Sequence, residues 1–110
     1  MREGVEVEIY DSAKNVTSRL TSNYAIDSTY AKKMEARSNV VVVNEKGETL
    51  ETEELKWNQK TERITSDVFV KITTSDQIIM GEGLESNQDF TEYRIMKTTG
   101  TININDDQGN

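Results

Sequence analysis

Apolar and polar side chains alternate along most of this chain, which is the pattern of β-strands that bury one face. Near the N-terminus, Val5, Val7 and Ile9 alternate with glutamates. The same two-residue period returns in later segments, separated by short polar stretches whose Asn, Asp, Ser and Gly favour turns. Residues 27–33 are predicted as a polar connection. The predicted strands cover residues 4–10, 16–24, 34–43, 49–57, 63–72, 77–84, 90–97 and 100–104.

Two predicted strands depart from strict alternation. In the fourth, the apolar positions change parity between Leu50 and Leu55, and a β-bulge near residues 53–54 would restore a single buried face. In the sixth, Gly81 and Gly83 interrupt the apolar pattern. Glycines inside a strand predict a bulge, a bend or a close approach of another backbone.

Composition supports the strand prediction and limits the size of the core. Thr, Val and Ile account for 31 of 110 residues, whereas Leu and Ala account for eight. β-branched residues favour strands, and Ala and Leu favour helices, so the fold class is predicted as all-β. Leu, Ile, Val and Phe together number only 24. We therefore expect a thin, open domain, or one completed by a ligand or by neighbouring chains.

The charge and the missing residue types exclude several functions. The net charge is −7, which disfavours binding to nucleic acid. Cys, His and Pro are absent, so zinc sites of the usual kind, thiol nucleophiles and Ser-His-Asp triads are excluded. No apolar run exceeds residues 40–43, so no segment is expected to span a bilayer. The N-terminus does not resemble a signal peptide and is interpreted as a start Met on a fragment.

The carboxylate pairs do not predict an enzyme. Glu6 with Glu8, and Glu51 with Glu53, stand two residues apart on predicted strands, hence on one face of a sheet. That face is expected to be solvated, whereas a hydrolase would need two carboxylates across a cleft. We expect no catalytic residue, no cofactor and no metal.

An ordered series of motifs runs through the second half of the chain. It reads Leu50-x-Thr52-x-Glu54-Leu55-x-Trp57-Asn58, then Ile64-x-Ser66-Asp67, then Gly81-x-Gly83-Leu84-x-Ser86-Asn87, then Thr91-x-Tyr93-x-Ile95. The series resembles the LptC-type proteins, the periplasmic bridge subunit of the lipopolysaccharide export machinery, and the Bacteroidetes branch in particular. The resemblance covers about residues 4–104.

The resemblance implies an open antiparallel β-jellyroll, a twisted V-shaped sandwich of two sheets with an apolar groove. It divides the chain into linker residues 1–3, a periplasmic domain at 4–104 and a flexible tail at 105–110. It implies a non-enzymatic scaffold in the periplasm, tethered to the inner membrane by an N-terminal helix that this sequence lacks. The implied partners are lipopolysaccharide, the other bridge subunits and an inner-membrane ABC transporter.

The resemblance also implies which residues meet the lipid. The inward-facing apolar residues of the central strands would line the groove and contact acyl chains. An ordinary hydrophobic core would use the same residues, and the pattern alone does not separate the two interpretations. The groove candidates are Met34, Val40, Val42, Ile64, Val68, Val70, Ile72 and Met80.

The first and last strands are candidates for docking. An exposed strand edge presents unpaired N–H and C=O groups and accepts another strand, from a bridge subunit or from a second copy of the chain. The alternative is a pair of edges blunted by charged side chains such as Glu6, Glu8 and Lys97. The edge candidates are Val5, Val7, Ile9, Tyr93, Ile95 and Ile102.

A second hypothesis is a carbohydrate-binding or adhesive β-sandwich on a bacterial surface. Trp57, Tyr24 and Tyr93 could stack on sugar rings. The position of the aromatic residues distinguishes the two hypotheses. A sugar-binding module would expose two or three of them in a row on one face, and a lipid conduit would present an aliphatic surface.

Overall fold

The computed structural model describes residues 4–10, 13–28, 30, 32–87 and 90–103, without the side chain of Asp27. The predicted linker at 1–3 and tail at 105–110 lie outside these residues, and the proposed domain limits stay a prediction. The described chain forms eight strands: β1 (Val5–Tyr10), β2 (Val16–Ser22), β3 (Tyr24–Ser28), β4 (Lys33–Asn44), β5 (Thr49–Asn58), β6 (Arg63–Thr73), β7 (Gln77–Asn87) and β8 (Tyr93–Asn103).

The strands form one antiparallel sheet in the order β1-β2-β4-β5-β6-β7-β8, with β3 also paired to β4. The all-β fold class is therefore confirmed. Two details differ from the sequence prediction. The predicted strand 16–24 is two strands, and residues 90–97 and 100–104 contribute to one long strand, β8, which begins only at Tyr93.

β2 and β3 follow one another along the same side of β4 and are separated by Asn23 alone. The Asn23 backbone N–H donates to the Ser38 carbonyl at 2.8 Å, and its side-chain amide donates to the Ser38 hydroxyl at 3.1 Å. Ser38 and Asn39 have φ values of 70° and 54°. The interruption between β2 and β3 therefore lies beside the irregular part of β4.

The parity change in β5 marks a line of irregularities across the sheet. Leu50 and Thr52 are buried, as is Leu55, and the register between β5 and β6 shifts between Thr52 and Lys56. The predicted change of parity near residues 53–54 is thus confirmed, but the bulge itself is not in β5: the register puts the extra residues in its neighbours β4 and β6. Register shifts also occur in β4 after Arg37, and in β6 after Ser66. Bulges bend a sheet and increase its twist, so their alignment divides this sheet into two halves.

The sheet has one apolar face, here called the inner face, and it is continuous from β2 to β7. One row of opposite residues consists of Leu20, Val42, Leu50, Ile72 and Ile79. Residues opposite one another in antiparallel strands share a face, so the register alone puts this row together. The core contains Ile9, Leu20, Met34, Ala36, Val40, Val42, Leu50, Leu55, Ile64, Val70, Ile72, Leu84 and Phe90.

The inner face is covered by the sheet itself. The part of the chain that the structure describes contains no helix, yet the thirteen core residues are at most 6% exposed. Two halves of the same face can exclude water from each other only when the sheet bends over and the halves pack together. The result is a sandwich made from a single sheet, with principal dimensions of 54 × 30 × 25 Å.

Gly81 allows β8 to lie close to β7, as the strand glycine predicts. A Cβ at this position would overlap the Ile95 side chain and the Lys97 carbonyl oxygen. We expect Gly81→Ala to lower the free energy of unfolding by about 1–3 kcal/mol, because strand β8 must move to relieve the overlap. Urea denaturation measures this change.

Gly100 provides the matched control on the neighbouring strand. Its added Cβ would meet only the Met80 methyl group, at the ordinary contact distance of 3.4 Å. Gly100→Ala should therefore stay within about 1 kcal/mol of the original protein. Equal losses in the two variants would contradict the assigned role of Gly81.

Candidate functional site

Six of the eight groove candidates lie on the inner face and belong to the core. None of the six is more than 6% exposed. They come from β4 and β6, whose burial alternates in the same way along most of their length. These residues are Met34, Val40, Val42, Ile64, Val70 and Ile72.

The other two candidates do not lie where alternation predicts. Met80 is opposite Lys71, so it lies on the outer face, and its neighbour Ile79 takes the inward position opposite Ile72. Counting back in twos from the inward Leu84 would make Met80 inward, but β7 changes parity around Gly83, which has a φ of 82°.

Val68 is half-buried and lies where β6 has an extra residue. With Val41 and Phe69 it lines a cleft of about 300 Å³ whose other walls include the charged side chains of Glu51 and Lys71. The bulge therefore brings Val68 to a cleft at the bend of the sheet, away from the row through Val70 and Ile72 where alternation had placed it.

The interior is closed in this conformation. Val40, Val42, Val70 and Ile72 have no accessible surface at all. An acyl chain can contact these side chains only after the two halves of the sheet separate or a core residue moves aside. The inner face is therefore covered by the fold itself.

Asn44 links the β4–β5 turn to the segment before β8. It stands at the end of β4, and its side-chain amide donates to the Phe90 carbonyl at 2.7 Å and to the Glu48 carboxylate at 2.9 Å. Its side-chain oxygen accepts the backbone N–H groups of Lys46 and Glu48, both at 3.0 Å. One buried amide thus closes the β4–β5 turn and connects this turn to the segment before β8.

Phe90 is the one core residue among those described that no strand carries. Its side chain is fully buried and stacks on Tyr93 with ring centroids 4.7 Å apart. Its backbone N–H donates to the Asn87 carbonyl at 3.1 Å, and its φ is 55°. A bulky residue in the left-handed region costs about 1–3 kcal/mol, so burial of the ring offsets local strain. Alternation had placed Phe90 at the start of a strand.

The β4–β5 turn also lies close enough to the start of β8 for its Glu48 carboxylate to affect Tyr93. The pKa of Tyr93 is raised, mainly because its phenol is partly buried and also because the Glu48 carboxylate lies close to it. Asn87 holds the same corner from the other side: its side-chain oxygen accepts the N–H groups of Thr91 and Glu92. Asn87 of the Ser86-Asn87 motif thus holds the backbone of Thr91 and Glu92, directly after Phe90.

The predicted docking strands β1 and β8 are the two ends of the strand order, each paired to a single neighbour in the described chain. Their candidate residues differ in exposure. Ile9 is buried, Ile102 is 52% exposed, and Val5, Val7, Tyr93 and Ile95 are half-buried. β1 and β8 therefore have the geometry of edges, and their docking stays a prediction.

A third edge, β3, escaped the sequence analysis. Tyr24 and Ile26 point to the outer face, where they are 39% and 59% exposed. They line a hollow of about 540 Å³ with Ala25, Glu35 and Arg37. The Arg37 guanidinium donates to the Glu35 carboxylate at 2.6 Å and lowers the pKa of Glu35. The alternation in Tyr24-Ala25-Ile26 was the available signal, and five residues were too few to separate it from a loop.

The described residues contain no group of three acidic side chains close enough to hold a metal ion. They also include no helix with the length and hydropathy needed to cross a membrane.

Comparison with known proteins decides the family. A family model described as lipopolysaccharide-assembly, LptC-related, matches residues 3–103. The chain belongs to the LptC-related family. A search of curated proteins finds no match. LptC-related proteins are non-enzymatic bridge proteins, in general periplasmic and tethered to the inner membrane, so this chain has a role in lipopolysaccharide transport and outer-membrane biogenesis.

The positions of the aromatic side chains in this LptC-related chain do not suit sugar stacking. Trp57 and Tyr93 pack against the core from the inner face. Tyr24 lies on the outer face, opposite Arg37. A sugar platform would need these rings in a row on one exposed face, so the carbohydrate-binding hypothesis loses the residues on which it depended.

The LptC-related domain should depend more on Asn44 than on other turn asparagines. We expect Asn44→Ala to lower the free energy of unfolding by about 1–3 kcal/mol, because a buried carbonyl and two turn N–H groups lose their partner. Asn58→Ala is the matched control, since Asn58 also closes a hairpin through the N–H groups of Lys60 and Thr61.

Lys60 and Thr61 are exposed, so water can replace the side chain of Asn58, and we expect a loss of at most about 1 kcal/mol. Chemical denaturation of the two variants compares them. A loss at Asn58 as large as that at Asn44 would show that the connection to Phe90 contributes nothing.

Proposed function

We propose that this domain conducts lipopolysaccharide by contacting its acyl chains with the inner face of the sheet, while the sugars stay outside. The continuity of the apolar face from β2 to β7 supports this most directly, and membership of the LptC-related family sets the cargo. The full-length protein is tethered to the inner membrane and works beside an ABC transporter, which supplies the energy.

The inner face can accept an acyl chain without leaving a polar group unpaired. Thr52 and Ser86, which are buried on this face, donate their hydroxyls to the carbonyls of Phe69 and Asn87 at 2.8 and 2.7 Å. Each hydroxyl is therefore satisfied by the sheet. In the part of the chain that the structure describes, no buried side-chain polar atom lacks a partner.

Energetics favours a surface that is covered when empty. Each buried CH₂ group contributes about 0.8 kcal/mol, so ten of them would hold one acyl chain with about 8 kcal/mol. That is as large as the stability of a small domain and would trap a lipid with several chains. A sheet that must open its own core first spends part of this energy on opening, and the net affinity falls to a level that permits release.

Photocrosslinking in cells tests the path of the lipid. Ile79 and Met80 are adjacent, both half-buried, and on opposite faces. With p-benzoylphenylalanine in the native protein, we expect adducts that react with anti-lipopolysaccharide antibody at Ile79 and none at Met80. Val70 and Lys71 are a second adjacent pair, on β6, whose side chains lie on opposite faces. Adducts from Met80 or Lys71 alone would contradict an interior path. So would the absence of adducts from a folded and correctly localised protein.

We propose further that β1 and β8 extend the sheet into neighbouring subunits. An unpaired edge supplies backbone hydrogen bonds to an added strand, which gives affinity with little demand on side chains. Tyr93 and Ile95 on β8, and Val5 and Val7 on β1, are half-buried and would gain cover from such a strand.

Crosslinkers at Glu6 on β1 and Thr101 on β8 test this docking, with Glu51 on the central strand β5 as the control; all three are exposed. We expect adducts with other transport subunits from Glu6 and Thr101 and none from Glu51. Adducts with a second copy of the chain alone would mean that the edges serve self-association. Adducts from Glu51 as well would mean that crosslinking is not specific to the edge strands.

A further inference from the structure

We propose that Phe90 is a gate residue whose ring occupies an acyl-chain position in the empty domain and leaves it when lipid enters. The proposal rests on the function proposed above. It names the residue that must move and the place where the closed core opens, neither of which follows from membership of the family.

The first argument is the attachment of the core residues. Twelve of the thirteen lie on strands, where moving the side chain out of the interior requires breaking or shifting a ladder of backbone hydrogen bonds. Phe90 precedes β8 and takes no part in a ladder. Among the described core residues it can therefore leave with the smallest loss of backbone hydrogen bonds.

The second argument is the strain in its backbone. Phe90 has a φ of 55°, which a bulky side chain rarely adopts, and burial of the ring compensates for it. When an acyl chain fills the space of the Phe90 ring, the ring is no longer needed to fill the core. The Phe90 backbone can then relax from its positive φ. Lipid thus gains a site while the protein loses strain, which favours exchange over simple insertion.

The third argument is the position of Phe90 at the closure of the sheet. Its carbonyl accepts the Asn44 amide, so the same residue that fills the core also connects the β4–β5 turn to the segment before β8. Release of Phe90 would break this connection and let the β4–β5 turn separate from the start of β8. The row Val42, Leu50 and Ile72 would then become accessible from this corner.

The chain contains two phenylalanines, Phe69 and Phe90, which makes the test direct. Phe69 is 52% exposed on the outer face and Phe90 is fully buried. With 4-fluorophenylalanine at both positions, the protein gives two ¹⁹F resonances, assigned with Phe69→Tyr. The probe is decyl maltoside below its critical micelle concentration, whose neutral sugar head avoids repulsion by the net charge of −7.

We expect the Phe90 resonance to move towards the position of the free amino acid as the probe saturates, while the Phe69 resonance stays. If methyl resonances of Ile79 and Val70 respond but Phe90 does not, the chain enters without the gate and this inference is overturned, while the proposed function stands. If no resonance responds, both are overturned.

A second measurement uses affinity. A residue that competes with the ligand reduces the apparent affinity by the fraction of molecules in which it has moved aside. We therefore expect Phe90→Ala, or Phe90→Leu if the alanine variant does not fold, to bind the probe at least about tenfold more tightly. Phe69→Ala should bind as the original protein does. Unchanged or weaker binding in the folded Phe90 variants would overturn the gate.

Discussion

A sheet without helices must cover its own apolar face, and this constraint governs the rest of the molecule. The continuous inner face from β2 to β7 is excluded from water only because the sheet bends along a line of irregularities and closes. Asn44 and Phe90 complete the closure by joining the β4–β5 turn to the segment before β8. Bulges, strand glycines and turn asparagines, which look like separate motifs in the sequence, thus serve one requirement.

The same constraint connects stability with transport. In most domains the core and the binding surface are different residues, and a ligand leaves the core intact. In the proposed function the inner face serves as both, so lipid and protein would compete for the same apolar area. The hydroxyls of Thr52 and Ser86 are bonded within the sheet, so an acyl chain on the inner face would not have to pair them.

The outer face and the edges have other physical roles. Cross-strand ion pairs such as Arg19 with Glu8, and Arg94 with Glu85, lie at the surface and contribute little to stability, but they keep the outer face hydrated. Open ends at β1 and β8 leave backbone groups for neighbours, at the risk of unwanted pairing between copies. The acidic net charge opposes such pairing in solution.

The two-residue period, the β-branched composition and the parity change near residues 53–54 determined the all-β class, most strand positions and the level at which the sheet is irregular, since these signals are local to each strand. The ordered motifs determined the family. Only the tertiary structure decided that Met80 and Val68 leave the inner row, that β3 is a strand, and that Phe90 fills the core. Alternation is lost wherever a bulge or a positive φ intervenes, and side chains such as Asn44 and Phe90, 46 residues apart, find each other only when the sheet closes.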